Sequence, residues 1–256
     1  MTRPSTTALP PLALILKSLL RADFLVLLRG RASVVLSVLL PLVILVANSF
    51  GKGQTRLGGP GVIIGLALTL GLATSCLLGY SLTLAHDREA GVLQRLRVTP
   101  APTWTIMTSR LLVQVATNLA ASIIVVIVGA VLHGLALTVG QYLLVLAVAV
   151  LGAAVFLALG QALVGLVKSA SAINAVSRLI FIVLILVGLL GGTGILGDTM
   201  KSMAAWSPVG ALMTLFSDVL NQSPWSGQDT QGFLACAGYT LVFAIIGIRW
   251  FRWDSR

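Results

Sequence analysis

Residues 62–100 have the sequence VIIGLALTLGLATSCLLGYSLTLAHDREAGVLQRLRVTP. The first part, Val62–Ala85, is apolar and long enough to cross a bilayer core about 30 Å thick, which takes roughly 20 residues of helix. The part that follows is charged, since residues 86–110 hold four of the 17 basic and two of the seven acidic residues. A chain this poor in charge has little soluble surface, so a partner on that side of the membrane would meet it mainly here.

The composition indicates that the solvent of this protein is lipid. The chain is 57% apolar and 9% charged, with a mean hydropathy of +1.03, whereas soluble domains are about 25% charged. Its net charge of +10 does not predict nucleic-acid binding, because the basic residues flank apolar runs instead of forming a patch with interleaved aromatics. The charge instead favours membrane orientation and contact with anionic lipids. Cys76 and Cys236 fall inside apolar runs and are expected to act as small hydrophobes, not as a disulfide or a metal site.

Hydropathy predicts an all-α integral membrane protein with one domain over residues 1–256. The prediction has six transmembrane helices, an N-terminal interfacial helix and a broken re-entrant segment before the last helix. The six predicted spans are Ser33–Phe50, Val62–Ala85, Leu111–Leu132, Gln141–Val167, Ala172–Leu190 and Gly232–Trp250.

The distribution of basic residues predicts the orientation of these spans. An even number of spans places both termini on one side, and 14 of the 17 basic residues fall on that side. The other side has Lys52, Arg56 and Lys201. Because cytoplasmic loops carry the excess of Lys and Arg, both termini are predicted to be cytoplasmic. The excess of Arg over Lys is typical of a high-GC bacterial genome, so the expected location is a bacterial inner membrane.

The N-terminal segment, residues 9–28, is apolar but is not predicted to span the membrane. Lys17, Arg21 and Asp23 lie within it, and each charge near the centre of a span costs about 2.5–3.5 kcal/mol. Lys17 and Arg21 lie one turn apart on a helix. We therefore expect a helix in the inner interface, acting either as a lipid anchor or as a contact strip for a cytoplasmic partner.

Residues 191–231 form the second unusual segment. It starts with a glycine-rich run, and two apolar pieces, Met200–Trp206 and Val209–Leu220, meet at Ser207-Pro208. Each piece is too short to cross the bilayer. Two short helices that dip in from the outside and return would fit these lengths, and an ordinary interfacial loop is the alternative.

The charged loop, residues 86–103, is predicted to contain a helix over Asp87–Arg97. On one helix, Leu93 and Leu96 would share an apolar ridge flanked by charge, which suits a groove in another protein. Thr99-Pro100 would end the helix, because a proline disfavours helical geometry in the residue before it. The alternative is a loop that only sets membrane topology.

The stretch Glu89–Pro100, EAGVLQRLRVTP, resembles the signature loop of ABC transporter type-2 permeases, the membrane subunits of bacterial drug and natural-product exporters. That signature is Glu, a spacer, Gly-Thr-Leu, a spacer, Arg-Leu-Arg, a spacer and Thr-Pro. This chain departs from it at Val92, where a hydroxyl is lost. The resemblance extends to the interfacial helix, the six spans, and Ala205-Trp206-Ser207-Pro208 in the broken segment.

The resemblance implies that the loop after span 2 is a coupling helix docked on a separate cytoplasmic ATPase. Two such ATPase subunits would bind ATP and Mg²⁺, and two permease chains, identical or homologous, would move substrate outward. No cofactor is expected in this chain, which has no phosphate-binding Gly-x-x-x-x-Gly-Lys loop. By position, the coupling residues would be Arg88, Glu89, Gly91, Leu93, Arg95, Leu96, Arg97, Thr99 and Pro100.

Polar residues within the spans are candidates for the transport pathway. The set is small: Asn48, Thr74, Ser75 and Asn174 as pathway candidates, together with Gln114, Asn118, Gln161 and Ser177. None is acidic, so the pathway suits a hydrophobic or amphipathic cargo such as a drug, an antibiotic or a lipid-like product. For each side chain, interhelical hydrogen bonding is the structural alternative. An ion-driven carrier and an ABC exporter of polysaccharide are the alternative functions. Gly65, Gly71, Gly79 and Gly188 would permit close helix approach, including at a seam between two copies.

Overall fold

A computed structural model describes residues 18–23, 25, 31–50, 59–97, 102–192 and 197–250, and the side chains of these residues except 31–37, 96–97, 103 and 192. Residues 18–23 are helical. The helices beyond them are α1 (Arg31–Phe50), α2 (Pro60–Glu89), α3 (Val92–Arg97), α4 (Thr103–His133), α5 (Val139–Leu166), α6 (Ala170–Gly192), α7 (Asp198–Trp206), α8 (Pro208–Leu220) and α9 (Gly227–Arg249).

Five of these helices, α2, α4, α5, α6 and α9, are long and apolar enough to cross a membrane. α1 has 20 residues, and its described side chains include the shorter apolar stretch Val38–Phe50. Each predicted span therefore corresponds to a helix, and the predicted all-α membrane fold is confirmed. The second span differs in length, because its 30 residues extend about 45 Å and continue the helix into the charged segment.

The antiparallel spans give the bundle two ends. The motif end carries the end of α2, helix α3 and the turn 167–169 between α5 and α6. The bent-pair end carries helices α7 and α8 and the starts of α2, α5 and α9. Side chains bridge elements at each end: Glu89 meets Ala170 at the motif end, and Gln141 donates to the Val219 carbonyl at the bent-pair end.

α2 is the central helix of the bundle. Of the residues in its apolar part, 83% are buried, compared with 17% in α6 and 22% in α9. Helices α6 and α9 are therefore peripheral and leave broad apolar faces for lipid or another chain. α2 packs against α1, α4, α5, α6 and α8. Within α2, residues Ala73–Gly79 form a π-helical segment, which no sequence pattern predicted.

Close packing between α8 and its neighbours depends on glycine. A Cβ on Gly65 would lie 3.1 Å from the Met213 carbonyl oxygen, and one on Gly188 would lie 2.6 Å from a Val209 methyl group. Gly65 and Gly188 therefore permit close approach within one chain. The expectation that they mark a seam between two copies is wrong for these two positions, because α8 already occupies the space.

The broken re-entrant segment is confirmed in the bent pair α7 and α8, whose axes differ by 85°. Ser207 ends one helix and begins the other: its hydroxyl donates to the Ala204 carbonyl and accepts from the Gly210 amide. Pro208 follows at the first position of α8, where a missing N–H costs nothing. The pair begins and finishes at the same end of the bundle and reaches inward to Leu212, which lies beside Gly152 in the middle of α5.

Candidate functional site

Three consecutive charged residues, Asp87, Arg88 and Glu89, end helix α2 at the motif end. Gly91 then has φ +70°, a left-handed conformation that glycine adopts without steric cost and that commonly ends a helix. Helix α3 starts anew at Val92. The prediction of one continuous helix over Asp87–Arg97 is therefore wrong: the chain turns at Ala90-Gly91, and the faces expected from a single helix do not form.

Arg88 binds the C-terminal end of α5. Its side chain is 2% exposed, and its guanidinium donates to the carbonyls of Val164 at 2.6 Å, Val167 at 2.8 Å and Lys168 at 2.5 Å. The last carbonyls of a helix lack partners within the helix, and a cation is favoured at this end of the helix dipole. Arg88 therefore caps the fourth span and is not available to a partner protein in this conformation.

Glu89 binds the N-terminal end of the next helix. Its Oε1 accepts a hydrogen bond of 2.6 Å from the amide of Ala170, the first residue of α6. The hydroxyl of Ser169 accepts from the Ala172 amide, so two of the free amides at this helix start have acceptors. A carboxylate is favoured at the positive end of a helix dipole. Arg88 and Glu89 together hold the turn 167–169 from its two sides.

Asp87 binds the start of α4. Its Oδ2 pairs with the Arg110 guanidinium at 2.6 Å; the side chain of Asp87 is 27% exposed and that of Arg110 is 14% exposed. The N-terminal helix joins the same cluster, because Ser109 donates to Asp23 Oδ2 at 2.5 Å. Burial raises the pKa of Asp23, while the bond from Ser109 and the charge of Arg110 lower it in part. Asp23, which does not share a face with the predicted basic pair, thus docks the N-terminal helix on α4.

The side chains beyond Gly91 face different surroundings. Leu93 is 0% exposed and belongs to the core, whereas Arg95 is exposed. The prediction that Leu93 anchors a partner groove is wrong, because the break at Gly91 turns it inward. Arg21 is exposed. The structure does not describe Lys17, Thr99, Pro100 or the side chains of Leu96 and Arg97, and predictions on them lie outside the described residues.

The candidate pathway residues are at different depths and do not form one site. Thr74 donates to the carbonyl of Leu70 in its own helix, and buried Ser75 accepts a hydrogen bond of 2.9 Å from Gln114 of α4. Asn48 is near the bent-pair end of α1, and Asn174 is near the motif end of α6. The Ser75 contact is interhelical hydrogen bonding, the structural alternative named above.

Sequence reasoning missed several residues that the structure brings together. Asp87 and Arg110 were noted only as charges, and Ser109 was not considered. Tyr80 donates a 2.7 Å hydrogen bond to Gln161 and joins α2 to α5. The signal available for Asp87 and Arg110 was opposite charge at the facing ends of two consecutive spans.

These observations define a multi-pass membrane domain: apolar spans around a central helix, a bent re-entrant pair, and a charged helix end that binds its neighbours. A comparison with protein families matched residues 15–221 to the ABC-2 type transporter family. The match covers most of the 256 residues, so the chain belongs to the ABC-2 type transporter family. Members of this family are transport subunits of the membrane and work with ABC ATPase partners. A comparison with curated proteins found no match.

Proposed function

We propose that this chain is the membrane subunit of an ATP-driven exporter that moves a hydrophobic or amphipathic small molecule outward. A separate cytoplasmic ATPase docks at the motif end. Each of two ATPase subunits binds ATP and Mg²⁺, and a second permease chain, identical or homologous, completes the transporter.

The contacts of Arg88 and Glu89 carry this proposal. A push on helix α3 reaches α2 through the short turn at Gly91, and α2 is joined to the ends of α5 and α6 by hydrogen bonds of 2.5–2.8 Å. Movement imposed on the loop therefore moves the ends of three spans together. An ATPase that displaces α3 can in this way rearrange the bundle without entering the membrane.

The exposed part of α3 is the proposed docking surface. Arg95 is its described exposed charge, and Leu96, Arg97, Thr99 and Pro100 extend the surface by sequence position. Arg88, Glu89, Gly91 and Leu93 transmit the movement to the spans, and of these Arg88 and Leu93 are buried. The charge bias of the loops supports a cytoplasmic position of this end and of both termini in a bacterial inner membrane.

The cargo class follows from the interior of the spans. Apart from Arg178, which is exposed on the motif-end half of α6, the polar side chains named above within the spans are amides and hydroxyls, and two of them, Ser75 and Gln114, bond to each other. An ion-driven carrier commonly places an acidic residue within a span, and the acidic residues of the described spans lie at helix ends. This distribution favours an ATP-driven pump of apolar or amphipathic molecules over an ion-driven carrier.

Purification of the chain from native membranes in a mild detergent, followed by mass spectrometry of what accompanies it, tests the proposal. We expect an ATPase with a phosphate-binding loop to co-purify, and Arg95→Glu to reduce its yield at least fivefold. Lys201→Glu, a charge reversal on an exposed side chain at the opposite end, is the matched control and should retain the ATPase.

Two results would contradict the proposal. One is a wild-type chain that brings no ATPase under conditions that preserve other membrane complexes, since this outcome favours an ion-driven carrier. The other is an equal loss of ATPase in both variants, because docking would then not depend on the α3 surface.

A further inference from the structure

A cavity of about 900 Å³ lies at the bent-pair end of the bundle. Its walls are the first turns of α2, the last turns of α6, both helices of the bent pair and the start of α9. This volume is at the upper end of the roughly 300–1,000 Å³ typical of small-molecule sites. The residues named above as pathway candidates do not line it.

The walls of the cavity are held by close backbone contacts. The backbone of Gly188 at the end of α6 packs against Val209 and the Gly210 amide of α8. Gly210 in turn packs against the Ala204 carbonyl of α7, leaving no space for a Cβ. These contacts pack α6, α7 and α8 closely against one another, so this part of the cavity wall is formed without a ligand.

The lining of the cavity is amphipathic. Ile63 and Leu66 from α2 and Met213 from α8 contribute apolar surface, whereas Asp218, Gln228 and Gln231 contribute polar groups where α8 and α9 meet. Small-molecule sites typically combine a largely apolar wall with a few convergent polar groups. The expected ligand therefore has an apolar body and one polar end.

The charges around the cavity are unbalanced. Asp198 and Lys201 line it from α7 and lie three residues apart on one side of that helix, so α7 contributes one charge of each sign. Asp218 has no such cation among the described lining residues. Its nearest charged neighbour is Asp229 of α9, and burial followed by that carboxylate raises the pKa of Asp218.

Asp229 is the buried neighbour of Asp218. Its side chain is 1% exposed, and its Oδ2 accepts from the amide and hydroxyl of Ser226 in the capping box of α9. Its Oδ1 is buried and meets no permanent donor among the described residues, whereas the side chain of Asp218 can hydrogen-bond to Asp229 when one of the two carboxyls holds a proton. Asp229 is not among the described residues that line the cavity, and it acts there through the neighbouring carboxyl of Asp218. Two carboxyl groups side by side favour an added positive charge or donor.

We propose that the cavity binds an amphipathic organic cation, with the apolar body against α2 and α8 and the positive charge beside Asp218. This inference rests on the proposed function, because it names the cargo class of the same exporter. The site lies at the opposite end from the ATPase docking surface, so it would hold cargo last before release.

The affinity should depend on pH in a defined direction. The titratable groups around Asp218 are Asp229 of α9 beside it and, elsewhere in the cavity wall, Asp198 and Lys201 of α7. The described lining residues of α2 and α6 include no titratable side chain. Because protonation of Asp218 removes the counter-ion, cation binding should weaken as the pH falls through its raised pKa.

Equilibrium binding to the purified full chain in lipid nanodiscs, without any ATPase, tests the inference. The probe is radiolabelled tetraphenylphosphonium, and tetraphenylborate provides nearly the same shape with the opposite charge. We expect the cation to bind in preference to the anion. Asp218→Asn should weaken cation binding on the order of tenfold, since it removes one opposite charge in a partly buried site. Asp218→Glu should restore most of the affinity.

Asp23→Asn makes the same carboxylate-to-amide change at the motif end and should leave binding unchanged. Asp218→Asn should be folded at least as well as the wild type, because it relieves the repulsion with Asp229, so a lost signal would not reflect unfolding. Equal cation affinity of the wild type and Asp218→Asn would overturn the inference, as would equal binding of cation and anion. Since no ATPase is present, cation binding without ATPase co-purification would refute the proposed function alone.

Discussion

Glu89→Ala tests the link between helix α2 and the start of α6. The carboxylate accepts from the Ala170 amide at 2.6 Å, and the substitution leaves that amide with water as its only acceptor. A charged hydrogen bond contributes about 1.5–3 kcal/mol when buried, and loss of an N-terminal cap costs about 0.5–2 kcal/mol. Glu89 is exposed, so solvent screening favours the lower part of these ranges.

A loss of about 1 kcal/mol raises the population of the detached turn roughly fivefold, because 1.4 kcal/mol corresponds to tenfold. Hydrogen exchange measured by mass spectrometry in lipid nanodiscs should therefore show the Ala170 amide exchanging about fivefold faster. The amide of Ala172 is capped by Ser169 and should change less. Glu89→Gln keeps an acceptor oxygen without the charge and should give an intermediate rate.

The functional consequence is measured in proteoliposomes that contain the partner ATPase. We expect Glu89→Ala to stay in the membrane and hydrolyse ATP while transporting less substrate per ATP. Unchanged exchange at Ala170 would refute the geometric argument. Faster exchange with wild-type transport per ATP would show that the contact exists but does not couple the two subunits.

Three further perturbations test other contacts. Arg88→Ala leaves three carbonyls at the end of α5 without their cation and should lower the unfolding free energy by about 3 kcal/mol or more, whereas Arg88→Lys should recover part of this loss. Thermal unfolding in detergent measures both variants, and equal melting temperatures of Arg88→Ala and the wild type would contradict the capping role. Because folding raises the pKa of Asp23, this carboxyl binds a proton more tightly in the folded state than in the unfolded state. The free energy of unfolding of the wild type therefore falls as the pH rises above about 4. Asp23→Asn keeps an acceptor for Ser109 but does not titrate, so the melting temperature of this variant should rise relative to that of the wild type as the pH rises. A difference in melting temperature that stays constant with pH would exclude this effect. Gly210→Ala should push α8 away from α7 and lower the melting temperature, because the added Cβ would meet the Ala204 carbonyl. An unchanged melting temperature would show that the two helices can move apart at little cost in stability.

The spans and the bent pair were predictable because their signals are local. A run of about 20 apolar residues identifies a span without knowledge of its neighbours, and Ser207-Pro208 between two short apolar pieces identifies the bend. The predicted and observed positions of the bend agree at Ser207 for the same reason, because its hydroxyl caps α8 through a contact three residues away. Hydropathy and capping both act within a few turns of helix, which is the range that a sequence pattern covers.

The contacts of the charged loop were not predictable, because they depend on distant parts of the chain. Arg88 bonds to residues 76 to 80 positions away, and Glu89 to one 81 positions away. Periodicity within one predicted helix gave Leu93 and Leu96 a ridge directed at a partner, but the turn at Gly91 reorients α3 and Leu93 is buried. Gly91 was the available signal, since glycine between two helical stretches commonly marks a helix end.

Helix geometry explains why three adjacent charges bind three different neighbours. Successive residues of an α-helix are about 100° apart, so Asp87, Arg88 and Glu89 point in directions that together cover more than half of the circumference of α2. Each finds a partner of the appropriate sign: the cation Arg110, the carbonyl end of α5 and the amide end of α6. Because α2 is central, no other described span is placed to reach all three. A force applied beyond Gly91 therefore acts on the bundle through its central helix, and Arg88, which transmits it to α5, is 2% exposed and so inaccessible to the partner that supplies it.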